Sequence, residues 1–146
     1  MPGVEHRCKD CRADPPGRVR AAKYPGPRCH THHYARRKAV RKARHGSHIV
    51  ETYGITPEDY RALYVAQGGR CAGCRIATGR SKALAVDHDH RCVAGHSPAV
   101  GCRLCVRGLL CSTCNQLLGK VHDNPVRLFR LGLYLINPPS VDTLPM

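Results

Sequence analysis

The sequence predicts a small α+β domain stabilised by zinc, and three observations predict it. Two pairs, Cys71-x2-Cys74 and Cys111-x2-Cys114, bracket a segment that reads strand, loop, strand, helix. Four thiolates at such spacings can close a tetrahedral zinc site around what lies between them. The apolar payload of the 146 residues is thin: no Trp, one Phe and six Tyr, interrupted by 14 Gly and 11 Pro. A single core built from it is marginal, so metal is expected to supply part of the folding free energy. Structural zinc contributes about 10–16 kcal/mol in small finger peptides, the order of a whole domain's net stability.

Most of the ten cysteines fall into CxxC pairs: Cys8/Cys11, Cys71/Cys74, Cys102/Cys105 and Cys111/Cys114. A disulfide scaffold is the competing reading. It suits an oxidising compartment, and Met1-Pro2-Gly3-Val4-Glu5-His6-Arg7 has no apolar stretch of the kind a secretory signal needs. No run approaches the ~18 apolar residues of a membrane span. A cytoplasmic protein with no membrane partner is expected.

Residues 1–33 read as an N-terminal zinc module. Cys8-x2-Cys11 is followed by a Pro/Gly/Arg loop and then by Cys29-His30-Thr31-His32-His33. Cys29-x2-His32 has an acceptable ligand spacing, so Cys8, Cys11, Cys29 and His32 form the expected second zinc site. His33 is the fallback, and three neighbouring histidines leave the fourth ligand open. The alternative is a histidine-rich basic loop.

Residues 34–66 read as a basic helical arm and a connecting helix. From Tyr34 to about Tyr53 the chain is rich in Ala, Arg and Lys, good helix formers. Its apolar residues, Ala39, Val40, Ala43, Ile49 and Val50, are too few for deep burial. Arg36, Arg37, Lys38, Arg41, Lys42 and Arg44 meet no acid before Glu51. Like-charge crowding destabilises an isolated helix, which favours phosphate contact over a merely solvated face. The formal charge of +14 agrees. One zinc held by four thiolates and one held by three thiolates and a histidine would remove about three charges. The chain would stay strongly basic, which suits a polyanion such as DNA. Thr56-Pro57-Glu58-Asp59 then starts a helix with an N-cap, a first-turn proline and two acids. Tyr60, Leu63 and Tyr64 share a face, and Gly68-Gly69 stops it.

Residues 67–122 form the central domain. Leu84-Ala85-Val86 is a strand candidate ending at Asp87, Val106 to Leu110 is a second, and Ser112 to Gly119 is a short helix. In residues 123–146, Asp123-Asn124-Pro125 is expected to cap a last helix with Val126, Leu128, Leu131 and Leu135 as its buried stripe. That helix ends before Pro138-Pro139, and the tail after it carries no signal.

Within the cysteine frame lies Val86-Asp87-His88-Asp89-His90, and Asn115 directly follows the last cysteine. Phosphodiester hydrolysis with one metal needs a hard cation, a base for water and rigid geometry. Asp87 can ligate Mg²⁺ or Mn²⁺ and Asn115 can offer a neutral oxygen to the same ion. His88, on the opposite side of the strand, can act as general base near neutral pH. The plainer readings are a chance Asp-His pair, histidines that bind zinc, and an asparagine that caps a helix.

The set from Gln67-Gly68-Gly69-Arg70-Cys71 through Val86-Asp87-His88-Asp89-His90 to Arg107-Gly108-Leu109-Leu110-Cys111-x2-Cys114-Asn115 resembles the recombination endonuclease VII family of phage nucleases. That family lies within the HNH, or His-Me finger, class. The resemblance implies a ββα-metal core, with Asp87 and Asn115 as catalytic-metal ligands, His88 as general base and His90 as a second histidine at the phosphate. It implies Cys71, Cys74, Cys111 and Cys114 as structural zinc ligands. Arg107 joins the arm among the expected DNA-contacting residues. The basic N-terminal module and the Thr-Pro-Glu-Asp helix look like the actinobacterial and actinophage branch, which implies a bacterial host cell.

Two departures bear on function. The stretch after Cys114 is too short for the long arm that builds the intertwined dimer of a junction-resolving member. Nicking or cutting of DNA is therefore expected without an implied Holliday-junction activity, and a homodimer is left open. The active-site loop is also enlarged, with Cys92, His96, Cys102 and Cys105 offering a third zinc site; unpaired thiols or a loop disulfide are the alternatives. The expected function is a metal-dependent DNA endonuclease. Competing readings are a non-catalytic zinc protein that binds nucleic acid and an accessory nuclease working with phage packaging or recombination proteins.

Overall fold

The computed structural model describes residues 7–13, 19–92, 96–97 and 99–143. Residues 14–18 of the Pro/Gly/Arg loop, Val93, Ala94, Gly95 and Pro98 of the enlarged loop, and both chain ends lie outside the described residues. The chain divides into two compact units, residues 1–48 and residues 49–146.

In the first unit a short helix, α1 (Lys9–Ala13), precedes most of a long one, α2 (His30–Tyr53). The Cys8 N–H donates to the Arg20 carbonyl at 2.9 Å and the Lys9 N–H to the Pro27 carbonyl at 3.0 Å. Arg28 Nε meets Asp10 Oδ2 at 2.6 Å. α2 begins four residues before the expected Tyr34, because the His33 N–H already bonds the Cys29 carbonyl at 2.9 Å. This puts His32 in the first helical turn, one turn beyond Cys29. Ile49 is its buried residue, while Val40 and Val50 are exposed, in keeping with its thin apolar content.

The second unit holds α3 (Pro57–Ala66), β1 (Ala85–His88), β2 (Val106–Leu110), α4 (Ser112–Lys120), α5 (Pro125–Ile136) and α6 (Ser140–Thr143). The start of α3 is a capping box: the Asp59 N–H donates to Thr56 Oγ1 at 3.1 Å and the Thr56 N–H to Asp59 Oδ2 at 2.9 Å. Gly68 and Gly69 end it with φ of 69° and 68°, a left-handed backbone that glycine enters without strain.

β1 and β2 pair antiparallel, with Val86 opposite Leu109 and Asp87 opposite Gly108. His88 then pairs with Val106, so Arg107 is the extra residue of a bulge, a device that re-aims a side chain. The core is Ile49, Ile55, Cys71, Leu84, Val86, Leu109 and Leu110, with Tyr60, Leu63 and Tyr64 of α3 packed against it. The Tyr60 and Tyr64 hydroxyls donate to the Leu84 and Thr78 carbonyls at 2.9 and 2.8 Å. Gln67 clasps β2: its Nε2 donates to the Leu109 carbonyl at 2.9 Å and its Oε1 accepts the Leu109 N–H at 2.8 Å. A side-chain amide thus satisfies backbone groups that a further strand would otherwise take. α4 packs on both strands.

The last helix corrects two expectations. Asn124 alone is the cap, accepting the Val126 and Arg127 N–H groups at 2.9 and 3.2 Å. The expected buried stripe is not buried: Val126, Leu131 and Leu135 are exposed, and no residue of α5 is buried. Apolar spacing reports an amphipathic helix and not what covers it. In the tail, where no element was expected, α6 forms.

One ion pair joins α3 to the enlarged loop. Arg103 engages both Asp59 oxygens, with Nη2 2.7 Å from Oδ1. Together with the Thr56 N–H it holds the Asp59 carboxyl well below the usual carboxylate range. A carboxyl harder to protonate in the folded than in the unfolded state stabilises the fold above its unfolded pKa of about 3.9. That contribution is lost as pH falls through the lower folded value. Asp59→Asn should therefore melt below wild type at neutral pH, and the gap should close progressively below about pH 4. Identical melting temperatures at pH 7 would contradict this.

Candidate functional site

Among the described residues, three clusters of cysteine and histidine each gather four ligand atoms within 4.8 Å of one another: Cys8, Cys11, Cys29 and His32; Cys71, Cys74, Cys111 and Cys114; Cys92, His96, Cys102 and Cys105. Tetrahedral zinc with bonds of ~2.3 Å to sulfur and ~2.0 Å to nitrogen has S···S edges near ~3.8 Å and S···N edges near ~3.5 Å. The observed separations match. Cys74 and Cys111 sulfurs are 4.0 Å apart and Cys11 and Cys29 sulfurs 3.8 Å apart. Disulfides need about 2.05 Å, and all ten cysteines are free. Each cluster could hold zinc.

In the first unit His32 resolves the ambiguity among the three histidines. Its Nδ1 lies 3.3, 3.4 and 3.5 Å from the sulfurs of Cys8, Cys11 and Cys29, at the apex of a tetrahedron. His33 instead stacks on Tyr24 at 4.7 Å and His30 lies against Tyr34 at 4.3 Å. Burial opposes ionisation of Cys8, yet backbone donors and the His32 ring outweigh it and lower the thiol to about 6.

In the second unit the knuckle is part of the core, since Cys71 is fully buried and Cys74, Cys111 and Cys114 pack against the same cluster. The Cys111 N–H points at Cys71 Sγ at 3.2 Å. Cys111 is also the N-cap of α4, its sulfur accepting the Cys114 N–H at 3.5 Å. Backbone donors at Ala77 and Ile76 lower the Cys74 thiol to about 6, while burial and neighbouring sulfurs push Cys114 up to about 12. Four sulfurs this close cannot all ionise without a cation, which is the chemistry a structural zinc supplies.

The Asp-His pair sits at the end of β1 with both side chains buried: Asp87 is 7% and His88 8% exposed. The bulge turns Arg107 toward Asp87, where Nε donates to Oδ2 at 2.8 Å and Nη2 to Oδ1 at 2.9 Å. His88 packs on Tyr53, ring centroids 5.3 Å apart, and on His90 at 4.6 Å. Burial, and then the Asp87 charge, raise the Tyr53 hydroxyl. Asn115 stands half-buried in the first turn of α4, and because Cys111 is the cap, Asn115 is not. His88 and His90 join none of the zinc-type clusters among the described residues.

Sequence reasoning missed Asp123, taking it for part of a helix cap. His122 and Asp123 are successive left-handed residues, φ 56° and 51°, that turn the chain back after α4. Asp123 Oδ2 reaches His90 Nδ1 at 2.7 Å, and Oδ1 lies 3.3 Å from Arg107 Nη2. Among the described residues, that buried Oδ1 makes no hydrogen bond of good geometry, and the Arg107 guanidinium attracts it by charge. Burial raises the Asp123 carboxyl, but His90 and Arg107 outweigh it and leave it lowered. Scarcity was the available signal: the chain has 10 acids against 24 Lys and Arg, so an acid downstream of the cysteine frame had a partner to find. The arm residues Arg36, Arg37, Lys38, Arg41, Lys42 and Arg44 are all exposed. Arg36, Arg37, Arg41 and Arg44 share a cleft of about 280 Å³ with Arg28 in the first unit.

Asp123→Asn tests this network, because asparagine tolerates the left-handed backbone and removes only the charge. The loss should be about 0.5–1.5 kcal/mol in urea unfolding of the zinc-loaded chain, the net worth of an ordinary hydrogen bond, because His90 and Arg107 are partly solvated. An unchanged midpoint would mean that the network is solvated and adds nothing.

The sequence profile of the family described as recombination endonuclease VII matches residues 46–137. The Gene 59 proteins of Mycobacterium phage D29 and Mycobacterium phage L5 are 44% and 43% identical to the chain, over 138 and 139 residues. Each alignment spans 94% of this chain and 77% of the relative. No solved structure matches significantly. With the family match covering the cysteine frame, both strands and the Asp-His pair, the chain belongs to the recombination endonuclease VII family, a family of nucleases acting on DNA.

Proposed function

We propose that the chain is a metal-dependent DNA endonuclease of the His-Me finger class, with β1, β2 and α4 as its ββα-metal core. The observation that carries this reading is the pair Asp87 and His88, adjacent, more than nine-tenths buried, and at the end of a strand held inside the cysteine frame. His88 takes a proton from water at its ring nitrogen, the water oxygen bonds to phosphorus, and the P–O bond to the leaving sugar oxygen breaks, that oxygen taking a proton from solvent. Tilted ring contacts with Tyr53 and His90 fix the ring so that base and phosphate meet in one orientation. His90, steadied by Asp123, faces the phosphate.

Asp87 and Asn115 would hold the catalytic Mg²⁺ or Mn²⁺, an all-oxygen donor set that suits a hard cation, and the buried Oδ1 of Asp123 lies on the same network. Such an ion, when bound, supplies charge stabilisation at the phosphate oxygens. Arg107 neutralises Asp87 and is a third exposed, which leaves part of its guanidinium for DNA. The exposed cations of α2 track the backbone. The mycobacteriophage relatives support an origin in a phage-infected bacterial cell.

A second reading has a specific observation behind it. Arg107 takes up both Asp87 oxygens, as it would in a zinc protein that binds DNA without cutting it. Incubation of the purified chain with supercoiled, linear, single-stranded and branched DNA, with and without Mg²⁺, separates the two. His88→Ala should lower cleavage by ~10²–10⁴ while zinc content and DNA affinity hold, since it removes the base and not the frame. Affinity of that variant should fall with salt by about 0.9 log unit per phosphate contact per decade. Cleavage by His88→Ala at the wild-type rate would refute the base assignment, and a wild type that binds but never cuts would establish the second reading.

A further inference from the structure

The excursion between β1 and β2 carries four donor atoms that neither the knuckle nor the Asp87–His88 site uses. Cys92 Sγ lies 3.7 Å from Cys102 Sγ, and Cys105 Sγ lies 3.6 Å from His96 Nε2. Both values match the ~3.8 Å and ~3.5 Å edges of a zinc tetrahedron, and neither is near a disulfide. The His96 ring is oriented for the task. Its Nδ1 lies 3.2 Å from the Ser97 carbonyl oxygen. A proton donated there leaves the Nε2 lone pair facing the sulfurs, the arrangement by which an outer acceptor fixes a histidine ligand. The Cys102 N–H points at Cys105 Sγ at 3.0 Å, an N–H···S contact like the one the Cys111 N–H makes with Cys71 in the knuckle.

This cluster touches the active site through its neighbours in sequence. Gly101, next to Cys102, is buried, and its N–H donates to the Thr52 carbonyl at 2.7 Å. A Cβ on Gly101 would lie 2.9 Å from Tyr53 Cδ1 and 3.2 Å from His88 Cδ2, so its backbone forms a wall against the His88 ring. On the other side the Asp89 N–H donates to the Cys105 carbonyl at 2.9 Å. Residues on both flanks of the cluster's CxxC therefore meet the segment that carries the Asp-His pair.

We propose that Cys92, His96, Cys102 and Cys105 bind a zinc ion that clamps the β1–β2 excursion onto His88. The metal site stands on its own geometry; its positioning role rests on the reading of His88 as general base. Elemental analysis and native mass spectrometry of the full chain should show one zinc fewer in Cys102→Ser/Cys105→Ser than in wild type. Equal zinc counts would overturn the site. Should the double variant fail to fold, cadmium-113 NMR of the wild-type chain decides: three resonances are expected, one from a four-sulfur site and two from sites with three sulfurs and one nitrogen. Two resonances would overturn the proposal.

The positioning role has a separate readout. In Cys102→Ser/Cys105→Ser, kcat on plasmid DNA should fall on the order of 10²-fold with KM little changed, the scale expected when a base is misplaced by about an ångström. Gly101→Ala should lower kcat with full zinc content, because its methyl group would meet Tyr53 Cδ1 at 2.9 Å and the His88 ring at 3.2 Å and push the pair aside. An unaltered kcat in both variants would overturn the clamp. A wild type that cuts no DNA would instead overturn the nuclease reading and the clamp with it, while the zinc count would still decide the metal site.

Discussion

The four sulfurs of Cys71, Cys74, Cys111 and Cys114 constrain everything else in the second unit. β1 has four residues and β2 five, and a two-stranded sheet of that length is marginal in water without something to pack against. The knuckle supplies it by tying the turn after α3 to the start of α4. Cys71 is buried within the apolar cluster, and Cys111 both belongs to the tetrad and caps the helix. A cation at that position would lock strand, strand and helix in one step, and the orientation of Asp87 and His88 would then depend on a metal they do not touch.

Charge is distributed with similar economy. In a chain of 24 Lys and Arg against 10 Asp and Glu, two of the few acids, Asp87 and Asp123, converge on Arg107. A bulge makes this convergence possible, since a regular ladder would set Arg107 opposite His88. The cations of α2 remain exposed. Positive charge is left free along α2 and is neutralised where the Asp-His pair must be held.

Features set by short-range chemistry were legible in the sequence. The Thr56 cap with its first-turn proline and acids, the glycine stop, the two strands and α4 follow from local spacing, and the three donor clusters came together from the residues that spacing had singled out. Features set by long-range geometry were not legible. Asp123 read as a cap because Asn124 beside it is one, and only the left-handed turn at His122 and Asp123 aims it at His90. Gln67 read only as the first residue of the central domain, although its amide serves a strand far along the chain. The stripe on α5 marked an amphipathic helix correctly and its burial incorrectly, because periodicity carries no information about a covering surface. The choice of His32 over His33 awaited the finding that α2 starts early enough to bring its ring beneath three sulfurs.

The central claim is that metal at the knuckle creates the geometry of the Asp87–His88 pair. Amide hydrogen exchange measures it most directly, on the chain stripped of zinc and on the same chain reloaded. The account predicts that the ladder amides of β1 and β2 exchange freely without zinc and regain protection in step with zinc added to the knuckle. Protection of those strands in the zinc-free chain equal to that in the reloaded one would contradict it.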